Sequence, residues 1–174
     1  MNINELEGWL VSSYLDSDVV FYDSPESEIG VTTIGGFFDG SQMIWDDEPE
    51  ITFAVYINPD TYEITTPHHL IEEDAHTTYH HEMRHVYQYS RKPVDIIQKE
   101  MGRSLKQGIE YRQDLDEIDA FGSVDLPVFI QIYGWDKAWL DEFSPLKQYV
   151  DIFGKGSVEV KRLIKKAVKV LDSV

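Results

Sequence analysis

Residues 77–89 read TTYHHEMRHVYQY, and within them His81-Glu82-Met83-Arg84-His85 sets two imidazoles four positions apart with a carboxylate beside the first. On an α-helix, positions i and i+4 lie on one face, so His81 and His85 can offer their rings to a single ion. Glu82 falls about 100° further round, close enough to reach a water at that ion without displacing it. Zinc held this way acts as a Lewis acid and acidifies the water, and the glutamate takes the proton and later returns it to a leaving amine. The spacing therefore predicts two metal ligands, His81 and His85, and one general base and acid, Glu82. A second pair, His76 and His80, shares the i, i+4 spacing but falls on another side with no glutamate after His76, and reads as surface or packing histidines. His68 and His69 precede the helix and read as loop residues.

A catalytic zinc keeps three protein ligands and one open position, so a third ligand is needed. The chain has no cysteine, which removes thiolate sites, and no histidine follows His85. The longer pattern H-E-x-x-H-x-x-G-x-x-H is excluded because Gln88 and Arg91 occupy its glycine and histidine places. The ligand must be a carboxylate, and GIEYRQDLDEIDAFGSVDLP is dense with them. Read as one helix, this segment puts Glu110, Asp114 and Glu117 on a single face, at i, i+4 and i+7. Tyr111, Leu115 and Ile118 form the adjoining apolar face, and Asp116 and Asp119 point to solvent. The residues alone leave the choice of third ligand open.

The helix that carries the histidines must be held in place. With His81 at zero on a helical wheel, Ala75, Val86, Tyr79, Met83 and Tyr87 fill an arc of about 120–240°, which predicts the surface packed on a sheet. His81 and His85 then face a cleft. Upstream, VVFY, GVTTIGGFF, SQMIW and ITFAVYI are β-branched or aromatic runs separated by the turn-forming DSPESE, DG and DDEPE. They predict three or four antiparallel strands between residues 19 and 65, preceded by a short amphipathic helix over 3–15. Helices are expected over 71–90, 94–105 and 108–123, with short ones in VFIQIYG and WDKAWLDEF. The basic tail SVEVKRLIKKAVKVLDSV should form an amphipathic helix with Val160, Leu163, Ile164, Ala167, Val168 and Leu171 as its apolar stripe. Strands first and helices afterwards indicate an α+β fold in a single domain over residues 1–174, with 1–66 mainly strands and 67–174 mainly helices.

Composition narrows the partners. The chain carries 32 acidic and 15 basic residues, and none of the basic ones precedes Arg84. An N-terminal half this acidic repels a phosphate backbone, so no nucleic-acid partner is expected. No apolar run is long enough to span a bilayer, and the first residues lack the basic region and apolar stretch of a secretory signal. The expectation is a cytoplasmic protein with no membrane partner.

HEMRHVYQ followed by EIDAF resembles the zincin metallopeptidases of the gluzincin type, and is particularly similar to small bacterial and phage members that pair H-E-x-x-H-x-x-Q with a later E-x-E/D-A helix. The resemblance covers about residues 50–127. It implies a zinc-dependent peptidase acting on a peptide or protein substrate, encoded by a bacterium or a phage. The first glutamate of E-x-x-A would be the third zinc ligand, which falls on Glu117, with Ala120 as the small residue. Glu110-Tyr-Arg-Gln-Asp114 also fits the E-x-x-x-D pattern of thermolysin-like enzymes, which keeps Glu110 as the alternative and Asp114 as a supporting residue. An antiparallel sheet with a substrate-binding edge strand is implied too, and ITFAVYI is the strand expected to align the substrate by main-chain pairing. The family's second donor to the transition state has three candidates here, Tyr111, Tyr149 and Arg84. The rival reading is a catalytically inactive zincin fold used for binding or structure; Glu82 favours the enzyme, because a structural site needs no base.

Overall fold

The computed structural model describes residues 1–23, 32–40, 42–45, 49–58, 64, 66–101 and 108–173. Its backbone divides into two compact units, Met1–Met101 and Gly102–Val174. The first is mixed: α1 (Ile3–Ser13), β1 (Ser17–Asp23), β2 (Thr33–Phe38), α2 (Gln42–Trp45), β3 (Ile51–Ile57), α3 (His68–Ser90) and α4 (Val94–Met101). The second is helical: α5 (Gly108–Gln113), α6 (Leu115–Ala120), a π-helical turn (Phe121–Asp125), α7 (Leu126–Tyr133), α8 (Trp135–Leu140), α9 (Pro145–Phe153) and α10 (Val158–Asp172). The chain is thus α+β and mostly helical. No helix among the described residues is long and apolar enough to cross a membrane.

The sheet departs from the antiparallel expectation. Its strand order is β1-β3-β2, with β1 parallel to β3 and β2 antiparallel to it. The reason lies in β3, whose Ile51, Phe53, Ala54, Val55 and Ile57 are all buried. Such a nearly continuous apolar run needs cover on both faces and takes the centre, leaving the edges to the less buried β1 and β2. A central β3 has both edges paired, so ITFAVYI is not available to align a substrate. SQMIW differs as well: Gln42–Trp45 forms the short helix α2 rather than a strand.

One face of the sheet holds the core of this unit. Val19, Phe53, Val55 and Ile57 pack with Leu6 and Leu10 of α1 and Ile71 and Ala75 of α3. A capping box starts α1: the Asn2 side chain accepts from the Glu5 amide at 2.9 Å, and the Asn2 amide donates to the Glu5 carboxylate at 3.0 Å.

In Gly102–Val174 a separate core gathers Ile118, Leu126, Ile130, Ala138, Leu146, Tyr149, Val160, Leu163 and Ala167. Its helices are delimited by local signals. Ser144 and Ser157 accept backbone hydrogen bonds at the starts of α9 and α10, and Gly134 (φ 86°) and Gly154 (φ 95°) end α7 and α9 in a conformation that favours glycine. Helix α10 buries Val160, Leu163 and Ala167 and half-buries Ile164 and Leu171, as its stripe predicts, while Val168 is exposed.

Candidate metal centre

The histidines sit on α3, which begins at His68 rather than at residue 71. His68 and His69 are therefore in the first helical turn, and His68 Nε2 lies 2.7 Å from Glu72 Oε1. The surface α3 turns to the sheet is not the one its aromatic residues suggest. Ala75 and Tyr79 pack on the core, but Met83 is 38% exposed and Tyr87 46% exposed. Tyr87 instead lies beneath the guanidinium groups of Arg84 and Arg91, at 4.9 and 5.3 Å from its ring centre. The side that meets β2 carries Thr78 and Glu82, which brings polar residues to the sheet.

Glycine explains this. A Cβ at Gly36 of β2 would lie 2.6 Å from Thr78 Cγ2 and 3.2 Å from Glu82 Cγ. Only a bare backbone admits the stem of Glu82 at this distance, and Thr78 Oγ1 donates to the Ile34 carbonyl at 3.4 Å in the same contact. Glu82 is consequently 8% exposed, next to His81 at 6% and His85 at 9%. The two rings lie one helical turn apart, 5.0 Å between centres. His85 Nδ1 meets the side-chain oxygen of Gln88 at 2.8 Å. His76 and His80 face outward with rings 4.4 Å apart, and their mutual charge and the surrounding protein lower the His80 pKa, desolvation being the larger cause.

The acidic segment is two helices, not one. Asp114 has φ −58° and ψ 130°, outside the helical region, and caps α6 by accepting from the Asp116 and Glu117 amides at 2.9 and 3.4 Å. The single face expected to carry Glu110, Asp114 and Glu117 is broken there. Glu110 is exposed on α5, and Asp114 holds the backbone of the turn that presents Glu117.

Asp119 is also placed differently from the expectation: it is 9% exposed rather than turned to solvent. Lys166 Nζ of α10 lies 2.9 Å from Asp119 Oδ1, and Ser123 Oγ donates to the same oxygen at 3.3 Å. Gly122, in the π-helical turn, lets α10 come this near, since a Cβ there would lie 2.7 Å from Lys166 Cβ and 3.0 Å from the Leu163 carbonyl oxygen. Gly36 escaped the sequence reading, which gave Gln88 no part of its own and turned Asp119 to solvent. A double glycine inside a strand is the one signal that points to Gly36.

His81 and His85 stand on α3 of the first unit, and Glu117 stands in the first turn of α6 in the second. Of the candidate transition-state donors, Tyr149 is fully buried, whereas Tyr111 and Arg84 are half-buried. No family model, curated protein or solved structure matches the chain.

Proposed function

We propose that the chain is a zinc-dependent metallopeptidase of the zincin kind with His81, His85 and Glu117 as the metal ligands, and the observation that carries this reading is the buried trio His81, Glu82 and His85 on α3, its two imidazole rings 5.0 Å apart. Two imidazoles and one carboxylate are the donor set of a catalytic zinc that keeps one position open. When bound, the ion would supply Lewis acidity toward the scissile carbonyl and the attacking water.

Glu82 takes the proton of the attacking water and delivers it to the departing amine. It stands one residue from His81, and β2 fixes its stem through the contact at Gly36. Because β3 is central, an extended peptide would pair with an edge strand, and β2 is the edge that also touches α3 at Glu82. Protein or peptide is therefore the expected substrate class.

The test combines metal analysis with one isosteric change. Protein purified without an affinity tag should carry one zinc per chain; His85→Ala should lose it, and Glu117→Ala should weaken it more than Glu110→Ala. Glu82→Gln should keep fold and metal while hydrolysis of a proteome-derived peptide library falls about 10²–10⁴-fold. A zinc-loaded parent that cuts nothing in that library would move the reading to an inactive zincin fold used for binding.

A further inference from the structure

We propose that Gln88 is a positioning residue that selects the ring tautomer of His85, so that the lone pair lies on Nε2. The assignment rests on the reading of His85 as a metal ligand and adds to it the group that prepares the ring. Gln88 Oε1 lies 2.8 Å from His85 Nδ1. An amide oxygen only accepts, so this hydrogen bond requires the proton on Nδ1 and places the lone pair of a neutral imidazole on Nε2.

The helix makes the pairing local. Gln88 follows His85 by three positions, on the same face. Its side chain is half-buried and His85 is 9% exposed, so water competes poorly for Nδ1. Free imidazole exchanges between tautomers, and a ring that presents N–H to an ion cannot bind it. An amide also orients the ring without adding another negative charge on the helix that carries Glu82. Metal-binding histidines generally depend on such a partner, whose loss typically costs about 10–100-fold in metal affinity.

The deciding measurement is a long-range ¹H–¹⁵N correlation of the imidazoles in the metal-free full-length chain, followed by Co²⁺ titration. In the parent protein His85 should show a protonated Nδ1 and an unprotonated Nε2. Gln88→Leu should abolish that signature and weaken Co²⁺ binding about 10–100-fold, with the His81 signals unchanged as a control for the fold. Gln88→Glu, which still accepts from Nδ1–H, should restore the signature. A parent His85 protonated on Nε2 would mean that the amide donates to the ring and would overturn the proposal. Gln88→Leu with tautomer and affinity both intact would overturn it equally. A parent with the assigned tautomer that binds no Co²⁺ would support the role of Gln88 on the ring while overturning the metal reading, so the two failures are told apart.

Discussion

Among the described residues, Met1–Met101 buries three imidazole or carboxylate side chains, His81, Glu82 and His85, whereas Gly102–Val174 buries one, Asp119, and gives it Lys166 and Ser123 as partners. Charge divides in the same way. The first unit holds 20 acidic and 4 basic residues, the second 12 and 11. In the second unit, helix caps, glycine stops and apolar stripes agree with one another, and its polar groups mostly serve helix ends. The first sets polar residues where packing alone would favour apolar ones. Departures from local consistency of this kind cluster at functional sites, because buried polar groups cost stability unless they are partnered. On the proposed reading, α3 is where the chemistry would sit, since its buried polar residues are the departure from that consistency.

The largest effect should come from filling the space beneath Glu82. Gly36→Ala places a methyl group 2.6 Å from Thr78 Cγ2, with strand backbone on one side and helix on the other. Overpacking of this type costs about 1–3 kcal/mol, and chemical denaturation should show it. Thr78→Ser removes the clashing carbon, so the double variant should recover much of the loss, and a cycle of the four proteins measures the coupling. If Gly36→Ala is neutral by itself, α3 does not rest on β2 as described, and the placement of Glu82 loses its cause.

The two units also differ in how much of them the sequence revealed. Helices α7, α8 and α10 follow from periodicity and end signals that lie within a few residues of each other. Even α9, which the reading passed over, carries such a signal in Ser144-Pro145, an N-cap followed by proline at the first helical position. In the first unit the decisive facts are non-local. The parallel pairing of β1 with β3 joins Ser17 to Ile51, and no turn motif encodes it. The orientation of α3 depends on a glycine more than forty positions upstream of Glu82, so a helical wheel of α3 alone was misled by Met83 and Tyr87. Within the site, His81, Glu82 and His85 were legible because a helix encodes their spacing. Glu117 came from a resemblance, and Asp114 was misjudged because a polar residue at a cap looks like any other acidic residue on a face.

Asp114 offers a sharper and smaller test. As an N-cap it should contribute about 0.5–2 kcal/mol to stability, lost in Asp114→Ala and largely kept in Asp114→Ser or Asp114→Asn. Metal stoichiometry should follow the same order only weakly, since the carboxylate holds the amides of Asp116 and Glu117. An Asp114→Asn variant that is stable yet loses its metal would make Asp114 a ligand and reopen the acidic segment.

The smallest effect is expected at Tyr149, and it separates scaffold from chemistry most directly. Its ring is fully buried in the second core, and among the described residues its hydroxyl has no hydrogen-bond partner. The Arg112 guanidinium lies 5.5 Å from the centre of that ring and 4.6 Å from that of Phe121, and Arg112 donates to Gln148 at 3.1 Å. Tyr149→Phe keeps the ring and the cation above it while removing an unpaired buried hydroxyl, so stability at neutral pH should stay level or rise by up to about 1 kcal/mol. Burial pushes the phenol well above its ordinary value of 10.0, with Arg112 pulling part of the way back. Because the folded pKa is the higher one, the stability held by the neutral phenol is complete below pH 10.0 and is lost as pH rises toward the folded value. Tyr149→Phe should therefore flatten the alkaline decline in unfolding free energy. Hydrolysis should not change, since an enclosed hydroxyl cannot reach a substrate. A fall of about 10²-fold or more in turnover, with fold and metal intact, would instead make Tyr149 a transition-state donor, and the second unit would then share the chemistry assigned to α3.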